Sequence, residues 1–106
     1  MRRGEVWWAD LGSGWGRRPV LLLSREGAYD ILTQVSVAPL TSSIRLIPST
    51  VLLDPRADSV PRQSVVNLDG ILTISTQQIH EFIVHLRPEK MHEVEQAIHF
   101  ALGLSF

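Results

Sequence analysis

The sequence predicts a mainly β fold with a C-terminal α-helix, formed as one domain over residues 1–106. Three observations predict it. Short runs rich in β-branched and aromatic residues recur as far as Ile74, clusters of Gly, Pro, Ser and Asp separate them, and from Pro88 the apolar spacing switches to three- and four-residue steps.

Glu5-Val6-Trp7-Trp8-Ala9, bounded by Gly4 and by Gly12-Ser13-Gly14, reads as a first strand and the loop that leaves it. Pro19-Val20-Leu21-Leu22-Leu23-Ser24 is an almost unbroken apolar run, as expected of a strand buried on both faces or of an inner barrel strand, and it forms a hairpin with the first. In Thr33-Gln34-Val35-Ser36-Val37-Ala38-Pro39-Leu40, Val35 and Val37 lie between polar residues, a period of two that marks a third strand. Pro48 to Leu53, Ser64-Val65-Val66-Asn67 and Gly70-Ile71-Leu72-Thr73-Ile74 add short β-branched segments, and their spacing is that of a small barrel. The hydroxyls of Ser75-Thr76 suit the cap of one helical turn running to Ile79. Met91, Val94, Ile98, Ala101 and Leu102 then fall on one helix face. Pro88 fits its first turn, Glu89 and Glu93 complement its N-terminal dipole, and Gly103 can end it.

Hydrophobic residues make up 44% and charged residues 20%, the balance of a globular chain and not of a disordered or fibrous one. A chain of this length buries about two-thirds of its unfolded surface. Without cysteine there is no disulfide framework and no thiolate metal site, a composition suited to a reducing compartment, so a cytoplasmic location is expected. Basic Met1-Arg2-Arg3-Gly4 is not followed by an apolar signal core, and no apolar run approaches the roughly 20 residues that span a bilayer. Neither export nor membrane insertion is expected.

The net charge of −1 gives the whole molecule no strong attraction for nucleic acid. Its distribution says more. In residues 1–50, Arg2, Arg3, Arg17, Arg18, Arg25 and Arg45 outweigh Glu5, Asp10, Glu26 and Asp30, while the second half is net acidic. A polyanion should therefore dock on the first half.

Several chemistries lack their signatures. Gly12, Gly14 and Gly16 lead through Arg17-Arg18-Pro19 into an apolar strand, not a helix, and no Gly-Lys-Ser/Thr follows, so they do not make a nucleotide loop. His92-Glu93 has no second histidine at position 96, and there is no Asp-rich calcium loop, so no metal is expected. His92 and His99 share a helix face and read as solvated surface. A hydrolase elbow of the Gly-x-Ser-x-Gly kind is also missing.

Polar chemistry at strand ends remains. Arg18 enters the second strand, and Thr41-Ser42-Ser43 leaves the third, so pairing of these strands sets the two sites side by side. An arginine fork matches a phosphate, and a threonine hydroxyl can orient or stabilise the same group. Each also has a plain reading, because a single arginine is usually solvated and Thr-Ser-Ser after a strand is usually a turn.

The blocks Arg3-Gly4-Glu5-Val6-Trp7-Trp8-Ala9-Asp10-Leu11, Arg18-Pro19-Val20-Leu21-Leu22-Leu23-Ser24 and Val37-Ala38-Pro39-Leu40-Thr41-Ser42 resemble the three opening blocks of the MazF/PemK toxins. Ser64-Val65-Val66-Asn67-Leu68-Asp69 resembles the next block, and the final helix agrees. The resemblance implies a small SH3-like β-barrel with a C-terminal helix, a homodimer, and a cognate MazE-like antitoxin as partner. It implies sequence-specific cleavage of single-stranded RNA or mRNA without metal or cofactor. The RNA's own 2′-hydroxyl would attack the adjacent phosphate, leaving a cyclic phosphate and a 5′-hydroxyl.

The family's catalytic pair falls here on Arg18 and Thr41. Trp15 and Arg17 correspond to the flexible segment beside the RNA groove, where Trp15 would either stack on an unpaired base or serve as a buried structural ring. Ser42, Ser24, Arg25 and Asn67 are expected to border that groove. Where relatives read Asp-Gln-Ile-Arg-Thr, this chain has Asp69-Gly70-Ile71-Leu72-Thr73, losing an amide and a basic side chain. A different base selection or RNA affinity is the expected consequence. The alternative is a domain of the same superfamily that binds a protein target such as a topoisomerase, which would have no need of Arg18 and Thr41.

Overall fold

The computed structural model describes residues 1–104. Its organising segment is the apolar run of the second strand, β2 (Arg17–Leu22), which has no polar side to offer solvent. Leu21 therefore enters one buried cluster while Val20 and Leu22 enter another on the opposite face. The flanking strands divide in the same way. Ala38 and Leu40 of β3 (Gln34–Thr41) face the first cluster, and Val35 and Val37 face the second.

β1 (Glu5–Asp10) pairs antiparallel with β2, setting Ala9 opposite Arg18. β2 pairs antiparallel with β3 in the register Val20 to Pro39 and Leu22 to Val37. The other edge of β3 is shared. Gln34 to Val37 pair with β6 (Leu72–Ser75), while Leu40 and Thr41 pair with β5 (Ser64–Asn67). Pro39, which has no N–H to give a ladder, lies between these two partners. β5 also pairs with β4 (Thr50–Leu53).

The mainly β fold with a C-terminal helix is as expected, and two details differ. Among the described residues the strands do not close a hydrogen-bonded barrel; the ladder runs β4-β5-β3-β2-β1-β7, with β6 branching from β3. β7 (Ile79–His85), which pairs with β1, was not expected from the sequence. The sheet still curls. β6 and β7 flank the flat order β6-β3-β2-β1-β7, which would hold them about 19 Å apart at the usual strand spacing. One 3-10 turn, Thr76–Gln78, joins them over only about 8 Å of rise. Ser75 caps that turn in a box with Gln78, as its hydroxyl suggested, and Gln78 Nε2 donates to the Asp10 carbonyl at 2.8 Å.

The C-terminal helix α3 (Pro88–Ala101) covers the first cluster with buried Val94 and Ala97, supported by Met91, Ile98 and Ala101. Leu102, expected on that face, lies past the helix and is 58% exposed. Gly103 takes φ 66°, so Leu104 N–H reaches the His99 carbonyl and the chain turns away. Two four-residue helices, α1 (Ala28–Ile31) and α2 (Pro55–Asp58), fill the connections β2–β3 and β4–β5. Among the described residues no helix is long and apolar enough to cross a membrane.

Candidate nucleic-acid interface

Continuing the β2–β3 register by two residues brings Arg18 opposite Thr41, so both side chains leave neighbouring strand ends on one side of the sheet. They line two adjoining depressions. The first, about 350 Å³, is bounded by Trp15, Pro39, Arg45, Asn67 and Asp69 together with Arg18 and Thr41. The second, about 280 Å³, adds Trp8, Arg17, Ser42, Arg62 and Ser64 to the same pair. Arg18 and Thr41 thus occupy the saddle between two halves of one groove.

The guanidinium of Arg18 lies 5.2 Å from the centre of the Trp15 ring, a cation–π contact that restricts its orientation. Its Nε is shielded from solvent and has no hydrogen-bond partner among the described residues. A buried unpaired donor costs about 1–3 kcal/mol. Thr41 Oγ1 accepts from Ser43 N–H at 3.2 Å, which orients the hydroxyl and leaves its proton to donate elsewhere. Arg17 stacks 4.6 Å from the Trp8 ring and pairs with Glu81 at 3.1 Å.

Charge is concentrated here. Arg17, Arg18, Arg45 and Arg62 line the groove against one acid, Asp69, although the whole chain carries −1. Arg62 comes from the half of the chain that is net acidic, so the docking surface is not confined to the first half.

Of the residues singled out in the sequence, Arg18, Thr41, Trp15, Arg17, Ser42 and Asn67 come together around this groove. Trp15 is 56% exposed, stacked on Arg18 and not buried as a structural ring. Ser24 and Arg25 line neither depression. They lie past the far end of β2, about 20 Å of extended chain from Arg18. There Ser24 Oγ accepts from Ser36 N–H at 2.9 Å, and its carbonyl accepts from Tyr29. Leu72 stands opposite Val37 and packs on the second cluster, offering the groove no charge. Arg45 and Arg62 lie on loops and carry no periodic signal, while Trp8 and Asp69 read as parts of a strand and of a turn; only the fold gathers the four at the groove.

Fold and cleft together define a small antiparallel β domain with one C-terminal helix and an arginine-lined groove at its strand ends. The chain belongs to the PemK-like, MazF-like toxin family of type II toxin-antitoxin systems, whose model matches residues 2–102. It is 39% identical over 103 residues to the probable endoribonuclease MazF5 of Mycobacterium tuberculosis, covering 97% of this chain and 94% of that protein. Endoribonuclease EndoA of Bacillus subtilis is 33% identical over 111 residues, covering 98% and 96%. Among solved structures, Mycobacterium tuberculosis toxin MazF-mt6 superposes with a TM-score of 0.87 at 30% identity, covering 96% of this chain and 99% of that one. A mycobacterial endoribonuclease in complex with its cognate antitoxin gives a TM-score of 0.88 at 29% identity, covering 100% and 98%.

Proposed function

We propose that this chain is a toxin endoribonuclease that cleaves single-stranded RNA at a short sequence and is silenced by a cognate MazE-like antitoxin. The observation that carries the reading is the saddle: Arg18 and Thr41 stand together where two arginine-lined depressions meet. A strand of RNA laid along the groove puts a phosphate at that point with one base on each side. The names of the bacterial relatives support the activity, and the mycobacterial relative solved with its antitoxin supports the partner.

In this reading the RNA supplies its own nucleophile. The 2′-hydroxyl gives its proton to solvent as its oxygen bonds to the adjacent phosphorus; the bond from phosphorus to the 5′ oxygen breaks, that oxygen takes a proton from solvent, and a 2′,3′-cyclic phosphate and a 5′-hydroxyl result. Arg18 stabilises the charge that gathers on the phosphorane oxygens, the term that usually dominates such catalysis. It is not the base, because a guanidinium is a donor only, with no lone pair free to accept a proton. Thr41 donates its hydroxyl proton to a non-bridging oxygen. Positive charge comes from arginines, so the step requires no metal. DNA lacks the nucleophile and is no substrate. The toxin works in the cytoplasm, where its RNA is, and as a homodimer. A domain built only to grip a protein target has no use for an arginine held against Trp15 beside an oriented hydroxyl.

The test is incubation with long single-stranded RNA in the presence of chelator, comparing the native chain with Arg18→Ala and mapping the fragment ends. Cleavage at a recurrent short sequence is expected, with cyclic phosphate ends. Loss of the arginine should slow it by about a hundredfold or more while the fold persists. Intact RNA, or full activity in a folded Arg18→Ala chain, rejects the reading.

A further inference from the structure

We propose that Gly70 is a specificity-determining position, because its missing side chain is what allows Asn67 to hold its carboxamide still in the groove. The inference rests on the ribonuclease reading for its substrate but has a test that does not need RNA.

Asn67 ends β5 and caps the 3-10 turn Leu68–Gly70, its Oδ1 accepting from Asp69 N–H at 3.1 Å. That bond turns the other end of the amide, Nδ2, towards Gly70. A Cβ added at Gly70 would lie 2.9 Å from Asn67 Nδ2 and 3.5 Å from its Cγ, and 3.4 Å from Pro39 Cγ on the other side. The first distance is too short for any side chain to coexist with this amide pose. Gly70 is not among the glycines with positive φ, so its backbone does not require glycine. Space alone does.

Asp69 is held next to it. Its Oδ2 accepts from the buried Ser49 hydroxyl at 2.6 Å, while Oδ1 has no partner among the described residues. Asn67 and Asp69 both line the first depression, beside Arg18, Thr41 and the exposed ring of Trp15. One side of the saddle therefore carries a fixed amide donor, a fixed carboxylate acceptor and an aromatic surface. Unpaired RNA bases are read by such means, through hydrogen bonds to their edges and stacking on a ring. A donor and an acceptor held in one orientation discriminate between bases, whereas a mobile amide adapts to several. The Asn67 amide occupies the space that a Cβ at position 70 would need.

The experiment compares the native chain, Gly70→Ala, Asn67→Ala and the double variant on a single-stranded RNA pool randomised around the cleaved bond. Gly70→Ala should still cut, but its discrimination at one base beside that bond should fall by about tenfold, the usual size of a well-made base contact. Asn67→Ala should lose the same preference, and the double variant should match Asn67→Ala, since the methyl then meets no amide. In the free proteins, the Asn67 side-chain amide protons should shift and exchange faster with solvent in Gly70→Ala. Unchanged base preference and amide signals in Gly70→Ala overturn the proposal, as do losses that multiply in the double variant. If Gly70→Ala fails to fold, the double variant should fold; if both fail, the clash is not with the amide and the proposal falls. A native chain that cuts no RNA rejects the ribonuclease reading, and the amide signals still decide the Gly70–Asn67 clamp.

Discussion

Arg18 is held in place by its surroundings before any ligand arrives. Trp15 lies against its guanidinium, and the orphaned Nε is already out of water, so part of the cost of positioning it is met in folding. Its neighbourhood to Thr41 could be anticipated, since both residues sit at the ends of adjacent strands in a hairpin-rich sequence. The Trp15 stack could not, because nothing in a chain of three nearby glycines says which way the ring folds. At the opposite end of β2, Tyr29 gives a second residue-level prediction. Its hydroxyl donates to the Ser24 carbonyl at 2.9 Å, and burial pushes its pKa from the ordinary 10.0 up to about 12, an effect moderated by Arg3. Between those values the unfolded chain has released the phenolic proton and the folded chain has kept it. Stability attached to Tyr29 is therefore full below pH 10 and is lost as pH rises towards about 12. Tyr29 is the only tyrosine, so phenolate absorbance reads it alone. A folded-state midpoint near 12 is expected, and Tyr29→Phe should remove this part of the alkaline decline; a midpoint near 10.0 would contradict the burial argument.

At the level of elements, legibility followed burial. The apolar runs of β2 and β3 and the face of α3 were visible because both faces of those strands and one side of that helix are packed. β7 was invisible because it is an edge strand: His80, Glu81, Phe82 and His85 are exposed, leaving no clean alternation to detect. The opposite edge, β4, is blunted by Lys90 from α3, whose Nζ donates to the Leu52 carbonyl at 3.3 Å. The same helix closes the first core cluster, so its docking can be measured. Val94 is fully buried in that cluster. Val94→Ala removes two methyl groups and leaves a cavity, and it should cost about 2 kcal/mol. In urea the unfolding midpoint should fall with little change in slope, while a midpoint equal to the native one would show that α3 contributes no packing there.

For the whole molecule, the balance of charge is what composition conceals. A chain with net charge −1 builds a groove lined by four arginines and one aspartate because β2, the loop after β3 and the loop before β5 converge at one corner of a curled sheet. Arg45 and Arg62 lie on opposite sides of the Arg18–Thr41 saddle, one in each depression, where the flanking phosphates of a bound strand would pass. Neither touches the scissile position in the proposed reading, so their contribution should be to affinity. Each phosphate contact on single-stranded nucleic acid adds about 0.7 to the steepness with which affinity falls on a logarithmic salt scale. Arg45→Gln with Arg62→Gln should therefore flatten that slope by about 1.4, measured by titrating an oligonucleotide whose 2′-hydroxyls are replaced by hydrogen so that it binds without being cut. The loss of affinity should be greatest in dilute salt and shrink as salt rises, and a slope equal to that of the native chain would place the RNA off this corner of the sheet.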